Sequence, residues 1–267
     1  ATDYYATVRM YDPATDTWRA RADMPHARTH AAAAVMDGEI YVVGGWAEED
    51  LPYVEVYDPD TDTWAIKASM NVPRMGPGAV GLDGYVYVVG GGLTAFHPSV
   101  ERYDPRADRW QVLTSMAHGR RTLGVAAACG RIYAISGWDG HFVYHTESLP
   151  IGSSLTNSVL QVSDVQAQPG ALLIYQVVLM NPGNQALPAA SWSSEIPVGT
   201  SYVPGSAEGG ASYDPIADTV SWSGTVLARE TKSFRFQVRL GADLVKGDTI
   251  IAVAVIADGV CGPYVRE

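Results

Sequence analysis

Short apolar runs separated by turn residues dominate the first half of the chain, and they recur in a fixed order. The small-residue run AAAAVM (31–36) is followed by the turn Asp37-Gly38 and then by the apolar run EIYVVGG (39–45). GPGAVGL (76–82) and LGVAAAC (123–129) begin the same series of features, each before a turn that contains glycine. These runs predict short β-strands joined by tight hairpins, because glycine accepts the positive φ of such turns.

Five features of this half repeat with a spacing of 46 residues. The phrase YDPATDTW (11–18) returns as YDPDTDTW (57–64) and as YDPRADRW (103–110), so the tryptophans keep the period as well. The remaining features with this spacing are Met24, Met70 and Met116; Arg28, Arg74 and Arg120; and the pairs Gly44-Gly45, Gly90-Gly91 and Ser136-Gly137. A fixed period of this length is typical of repeat proteins, and four antiparallel strands per period predict a β-propeller blade.

The order of the strands predicts an incomplete ring. The chain opens with the last two strands of one blade, continues through two whole blades and then contains the first two strands of another. HTESLP (145–150), with Glu147 in register with Glu55 and Glu101, adds a third strand there. About three blades cannot close when propellers have roughly 4 to 8, so we expect further blades upstream or from a second chain. We also expect the three repeated tryptophans, Trp18, Trp64 and Trp110, to be largely buried between blades.

The double glycine, the Tyr-Asp-Pro turn, the spaced tryptophan and the arginine before the small-residue strand together resemble the Kelch repeat. The resemblance covers residues 1–149. It implies a Kelch-type β-propeller, of which this sequence supplies about three blades.

The second half has a different pattern. We interpret residues 150–158 as a linker and residues 159–267 as a β-sandwich of immunoglobulin-like type, because short strands alternate there with Gly, Pro, Asn and Asp. KSFRFQVRL (232–240) alternates strictly, which predicts one buried face formed by Phe234, Phe236, Val238 and Leu240. The phrase YDPIADTVSW (213–222) breaks the 46-residue period, so we expect a separate hairpin with similar turn chemistry.

Three stretches of this half, PGALLIYQVVLMNPGN, IPVGTSYVPGSAEGG and YDPIADTVSWSGTVLARETKSFRFQV, follow one another in a familiar order. They are similar to the conserved-repeat domain of bacterial surface proteins called domain of unknown function eleven. Two departures are SEIP, where the family more often has Asp before its Pro, and Arg229, where it usually has Gly. The resemblance implies an extracellular location, a structural role as a spacer, and no catalysis.

Charge and composition exclude some partners. The net charge is −11, which argues against nucleic acid or an anionic membrane as the main partner. No apolar run reaches the ~20 residues of a membrane-spanning helix. The sequence starts without Met or a signal peptide, so we expect a processed or excised piece of a longer protein.

Residues with catalytic or metal-binding chemistry are few, and we expect no enzyme activity, no cofactor and no metal site. His26 and His118 occupy equivalent positions, but the repeat between them has Val72 there, which argues against a repeated metal ligand. Cys129 lies in a hairpin turn and not at a propeller hub, which excludes a copper radical site like that of galactose oxidase. Cys129 and Cys261 could form a disulfide or remain unpaired thiols, and their spacing leaves both open. An isopeptide cross-link from Asn181 to Lys232 or Lys246 is a further alternative.

One propeller face offers a candidate binding surface. The repeated arginines lie beside the variable loops WAEEDLPY (46–53), GLTAFHPS (92–99) and WDGHFVYH (138–145). Arginine next to aromatic rings can bind a carboxylate, a sugar or an acidic peptide. The candidate ligand-binding residues are Arg28, Arg74, Arg120, Trp46, His97, Trp138 and His141. The alternative is that each arginine pairs with a nearby glutamate or backbone carbonyl within the propeller.

The sequence therefore predicts a non-enzymatic extracellular module for recognition, adhesion or assembly. Its partner would be a protein, a glycan or other copies of the chain that complete the propeller. Two alternatives remain: a fragment of a larger secreted Kelch enzyme whose active site lies elsewhere, and a structural subunit of a surface fibre.

Overall fold

A computed structural model describes residues 4–155, 157–164, 166–245, 247–261 and 263–267. The chain divides into two compact units, Ala1–Leu149 and Pro150–Glu267. Both units are built from antiparallel β-sheets. No helix in the described ranges has the length and apolar character needed to cross a membrane.

The first unit contains four sheets, and their strand order agrees with the predicted blades. We call them the opening sheet (β1–β2), the first full blade (β3–β6), the second full blade (β7–β10) and the closing sheet (β11–β13). The strands are β1 (Val8–Asp12), β2 (Thr17–Arg21), β3 (Ala32–Met36), β4 (Glu39–Val43), β5 (Val54–Asp58), β6 (Thr63–Lys67), β7 (Gly78–Leu82), β8 (Tyr85–Val89), β9 (Val100–Asp104), β10 (Arg109–Val112), β11 (Gly124–Ala128), β12 (Arg131–Ile135) and β13 (Thr146–Pro150). The fold is a segment of a Kelch-type propeller.

The first strand of each blade consists of small residues because neighbouring blades approach closely there. A Cβ added to Gly81 of β7 would lie 2.2 Å from the carbonyl oxygen of Val35 on β3. One added to Gly78 would lie 2.1 Å from Cγ2 of Val125 on β11. Any larger residue at either position would require the blades to separate.

The repeated tryptophans join each blade to the connection before it. The indole N–H of Trp64 donates to the carbonyl of Ala22 at 2.8 Å, and that of Trp110 donates to Ala68 at 2.8 Å. Both rings are half-buried. Trp18 has no preceding blade among the described residues and is 64% exposed, so the prediction that all three would be largely buried is wrong.

The second unit is a sandwich of two sheets, ordered β14-β15-β20-β17 and β18-β19-β16-β21-β22. The strands are β14 (Val159–Val162), β15 (Leu172–Met180), β16 (Leu187–Glu195), β17 (Thr200–Tyr202), β18 (Ser212–Asp214), β19 (Thr219–Val226), β20 (Thr231–Leu240), β21 (Ala254–Ala257) and β22 (Tyr264–Arg266). Phe234, Phe236, Val238 and Leu240 of β20 are all buried, as the alternation predicts. Leu155, within the segment that we predicted to be a linker, is fully buried in the core of this unit.

The fourth Tyr-Asp-Pro phrase forms the β18–β19 hairpin, which belongs to a sheet of the second unit. The Tyr213 hydroxyl donates to Asp218 at 2.7 Å, as Tyr57 does to Asp62 at 2.7 Å in the first full blade. The phrase therefore specifies a local turn that can serve either architecture.

Candidate functional site

The three repeated arginines are buried, and each forms an ion pair with a glutamate 27 residues later. Nη2 of Arg74 lies 2.8 Å from Oε1 of Glu101, and Nη1 donates to the carbonyls of Gly90 at 2.6 Å and Ser99 at 3.0 Å. The equivalent pairs are Arg28 with Glu55 and Arg120 with Glu147.

These contacts correct the prediction that the arginines reach a ligand. The side chains of Arg28, Arg74 and Arg120 are 0% exposed, and their guanidinium groups hold blade strands together. Burial lowers the pKa of Arg74, although the hydrogen bond and charge of Glu101 act to raise it. A buried cation with a bound carboxylate is a structural element, since removing either partner leaves the other uncompensated.

The four variable candidates lie in loops of three successive sheets. Trp46 is half-buried, and its ring contacts Tyr4 edge-on with 5.6 Å between centroids. Trp138 is also half-buried and contacts Phe142 edge-on at 5.1 Å. His97 is half-buried, and burial lowers its pKa, while His141 is exposed. Ligand binding by these four residues stays a prediction.

Two aromatic residues that the sequence analysis did not single out are more exposed than the tryptophans. Phe142 is 70% exposed and Tyr144 is 89% exposed, with 6.5 Å between their ring centroids. We call Trp138, Phe142 and Tyr144 the aromatic ridge. The alternation of Phe142 and Tyr144 about the buried Val143 is the sequence signal that indicates this surface.

The second full blade shows what normally covers the ridge. Phe96, one repeat before Phe142, is half-buried, and the Arg121 guanidinium lies 5.6 Å from its ring centroid. A Cβ on Gly119 would lie 1.9 Å from the Phe96 carbonyl oxygen, so the next blade's chain packs directly on this segment. Phe142 therefore lies at a position that contacts the next blade in the second full blade.

A second cluster missed by the sequence analysis consists of His118, His145 and Glu147, which we call the histidine cluster. Nδ1 of His118 lies 3.8 Å from Oε1 of Glu147, and Nε2 of His145 lies 3.6 Å from the same oxygen. The side chains of His118 and His145 are 61% and 50% exposed. Glu147 is 21% exposed, whereas Glu55 and Glu101 are 0% exposed.

The Glu147 carboxylate is held in place and ionised. Burial acts to raise its pKa, but the backbone N–H of Ala117 and the charge of Arg120 outweigh burial, so the pKa lies below its usual range. Ala117 donates to Oε2 at 2.5 Å and Arg120 donates to Oε1 at 2.8 Å.

The sequence raised two covalent links, a disulfide and an isopeptide bond. Pairing of Cys129 with Cys261 stays a prediction, which peptide mapping with and without reduction would test. Lys246 lies outside the described residues. The Lys232 ammonium lies 3.5 Å from Glu230, and the Asn181 amide donates to the carbonyls of Gln185 and Leu227.

Comparison with known proteins identifies the repeats. Residues 27–71 and 73–117 match the Kelch motif, so the first unit contains Kelch repeats. A putative F-box/kelch-repeat protein of Arabidopsis thaliana is 44% identical over 50 residues, which are 19% of this chain and 21% of that protein. A second F-box/kelch-repeat protein of the same plant is 41% identical over 50 residues, 19% of this chain and 13% of that protein.

The matched stretch therefore spans about a fifth or less of these relatives. Among solved structures, that of YjhT is similar with a TM-score of 0.43 and 17% identity, over 67% of this chain and 74% of that chain.

Proposed function

We propose that the chain is a non-enzymatic assembly module of an extracellular protein. Its Kelch blades bind further Kelch blades at both open flanks, and its second unit acts as an immunoglobulin-like spacer. The flanks are the outer face of the opening sheet, which carries Trp18, and the aromatic ridge beside the closing sheet.

One observation carries the proposal: positions covered between blades are uncovered at the two ends. Trp64 donates to the carbonyl of Ala22, whereas Trp18 is 64% exposed. Phe96 lies under Arg121, whereas Phe142 is 70% exposed. Since these pairs are equivalent by the repeat, the partner expected at each end has the chemistry of a neighbouring blade: a backbone carbonyl for Trp18 and the segment that begins the next blade for Phe142.

The exposed surface is of the kind that proteins bury on association. Tyr11 and Trp18 lie side by side on the opening sheet with 5.3 Å between ring centroids, and they are 44% and 64% exposed. Clustered aromatic residues of this kind commonly dominate protein–protein interfaces. A glycan fits less well, because the repeated arginines that would bind its polar groups are occupied by glutamates.

Features of the second unit support the spacer role. Trp192 on β16 is 1% exposed and packs against Phe234 of the facing sheet at 5.5 Å between centroids, and immunoglobulin domains bury a tryptophan in a comparable strand. The resemblance to bacterial surface repeats supports the extracellular location.

The test is the mass of the chain in solution, measured by sedimentation velocity over a range of concentrations. We expect wild type to associate, and Trp18→Ser and Phe142→Ser each to weaken association about tenfold or more, as for interface hot spots. Val198→Ser, at a 94% exposed position of the second unit, is the control and should not change the mass.

A wild-type chain that keeps a mass of 28.6 kDa at every concentration would contradict the proposal. Peptide and glycan arrays probed with the same variants test whether the chain binds a peptide or a glycan instead. Glycan binding that Phe142→Ser leaves intact would move the functional surface away from the flanks.

A further inference from the structure

The potential ligand atoms of the histidine cluster lie close enough together to bind one metal ion. The His118 nitrogen and the His145 nitrogen lie 3.8 Å and 3.6 Å from one carboxylate oxygen, and all the potential ligand atoms lie within 4.8 Å of one another. A tetrahedral ion with bonds of about 2.0–2.1 Å holds its ligand atoms about 3.4 Å apart. The two exposed imidazole rings need only small movements to reach that spacing.

We propose that His118, His145 and Glu147 bind a divalent transition-metal ion, with Zn²⁺ the best fit. Two imidazoles and one carboxylate form a known protein ligand set for Zn²⁺, in which solvent takes the fourth position. Ca²⁺ and Mg²⁺ fit poorly, because these ions take oxygen ligands almost exclusively. The sequence analysis expected no metal site, and this proposal departs from that expectation.

Glu147 is prepared for this role by its neighbours. The Ala117 N–H donates to Oε2 and Arg120 donates to Oε1, and a carboxylate oxygen has a second lone pair with which it can bind a metal ion. Groups that orient a metal ligand in this way strengthen metal sites. The Arg120 charge offsets that of Glu147, so we expect weaker binding than in a closed site with four protein ligands.

Comparison with the other blades argues against a purely structural reason for the histidines. The equivalent residues are His26, Tyr53 and Glu55 in the first full blade and Val72, Ser99 and Glu101 in the second. The arginine–glutamate pair forms in all three sheets, whatever residues occupy the two neighbouring positions. Of these three sheets, the closing sheet alone has both histidines.

The site also remains accessible in an assembled propeller, so it does not depend on the proposed function. His26, at the equivalent position in the first full blade, keeps 41% side-chain exposure although the second full blade follows it. An ion could therefore reach the histidine cluster whether or not another blade packs on the closing sheet.

The experiment measures Zn²⁺ binding by titration calorimetry on protein prepared without a polyhistidine tag. We expect one Zn²⁺ per chain, and a loss of affinity of about 10- to 100-fold or more in His118→Val and in His145→Ser. These substitutions introduce the residues that the second full blade has at the same positions, so the fold should accept them. His30→Asn, which changes an exposed histidine outside the cluster at a position of positive φ that asparagine accepts, is the matched control and should bind as wild type.

Two further measurements test the metal site independently of calorimetry. Co²⁺ bound to wild type should give the strong visible absorption of a tetrahedral site, which the double variant His118→Val/His145→Ser should lack. Zn²⁺ should also raise the melting temperature of wild type and not that of the double variant. Equal Zn²⁺ affinity in wild type and the double variant, or loss of binding in His30→Asn alone, would overturn the proposal.

Discussion

The two units of this chain form antiparallel sheets but stabilise them in different ways. The sandwich buries a continuous apolar core that includes Trp192, Phe234 and Phe236. The blades bury a smaller apolar cluster and add polar contacts that repeat with the sequence: the arginine–glutamate pairs, the tyrosine–aspartate turns and the tryptophan N–H bonds to the preceding connection.

This difference shows where the stabilising contacts of each unit are made. The apolar core of the sandwich is formed by residues between Leu155 and Tyr264. Many stabilising contacts of the blades join one repeat to the next, as in other repeat proteins. The full blades therefore have their contacts on both sides, whereas the opening and closing sheets have them on one.

The largest effect should come from the sandwich core. Trp192→Ala removes a side chain that is 1% exposed and contacts both Phe234 and Phe236, so it should lower the free energy of unfolding of this unit by ~3–5 kcal/mol. Calorimetry would measure it, with Ile216→Ala, at a 96% exposed position, as a control expected within about 0.5 kcal/mol of wild type. A loss of less than about 1 kcal/mol for Trp192→Ala would mean that Trp192 does not pack in the core as described.

The ion pairs should differ in strength between the second full blade and the closing sheet. Arg74→Leu leaves the fully buried Glu101 without its cation and should cost about 3 kcal/mol. Arg120→Leu should cost clearly less, about 1 kcal/mol, because water reaches the 21% exposed Glu147. Equal losses in chemical denaturation would contradict the difference in burial, and Arg74→Leu/Glu101→Leu should recover much of the first loss.

The tryptophans give a third, smaller contrast. Trp64→Ala removes a half-buried ring and its hydrogen bond to Ala22, so we expect a loss of about 2 kcal/mol. Trp18→Ala should change stability by less than about 0.5 kcal/mol when the chain is monomeric, since the ring is 64% exposed. Thermal melts at low protein concentration would measure both losses of stability. A larger loss for Trp18→Ala than for Trp64→Ala would contradict the conclusion that Trp18 lacks the contact that Trp64 makes.

The smallest predicted effect is on the pH dependence of stability in the second unit. Burial acts to raise the pKa of Asp258, but N–H groups of Cys261, Val260 and Leu155 and the Tyr264 hydroxyl outweigh it and hold the pKa below the usual value. The stabilisation is therefore present above about pH 4 and is lost as pH falls through the lower pKa of the folded state. Asp258→Asn should flatten this acid dependence in stability curves, and an unchanged dependence would assign it to other carboxylates.

The sequence predicts the blades well because the 46-residue period marks contacts made inside each repeat. The arginine–glutamate pairing could be named from the sequence only as an alternative, because a buried cation needs a counter-charge but the period does not say which residues meet. The exposure of Trp18 was not predictable from its own repeat, because its contact depends on a neighbour. The histidine cluster required the pairing of β12 with β13, which brings His145 and Glu147 to the loop that carries His118.

Hydrogen exchange followed by mass spectrometry tests most directly whether the end sheets depend on contacts between blades. At a concentration where the chain is monomeric, β3–β10 and the sandwich should be strongly protected, whereas β1–β2 and β11–β13 should exchange much faster. Raising the concentration into the associated range should then protect the end sheets selectively. Uniform protection of all four sheets in the dilute monomer would contradict the account.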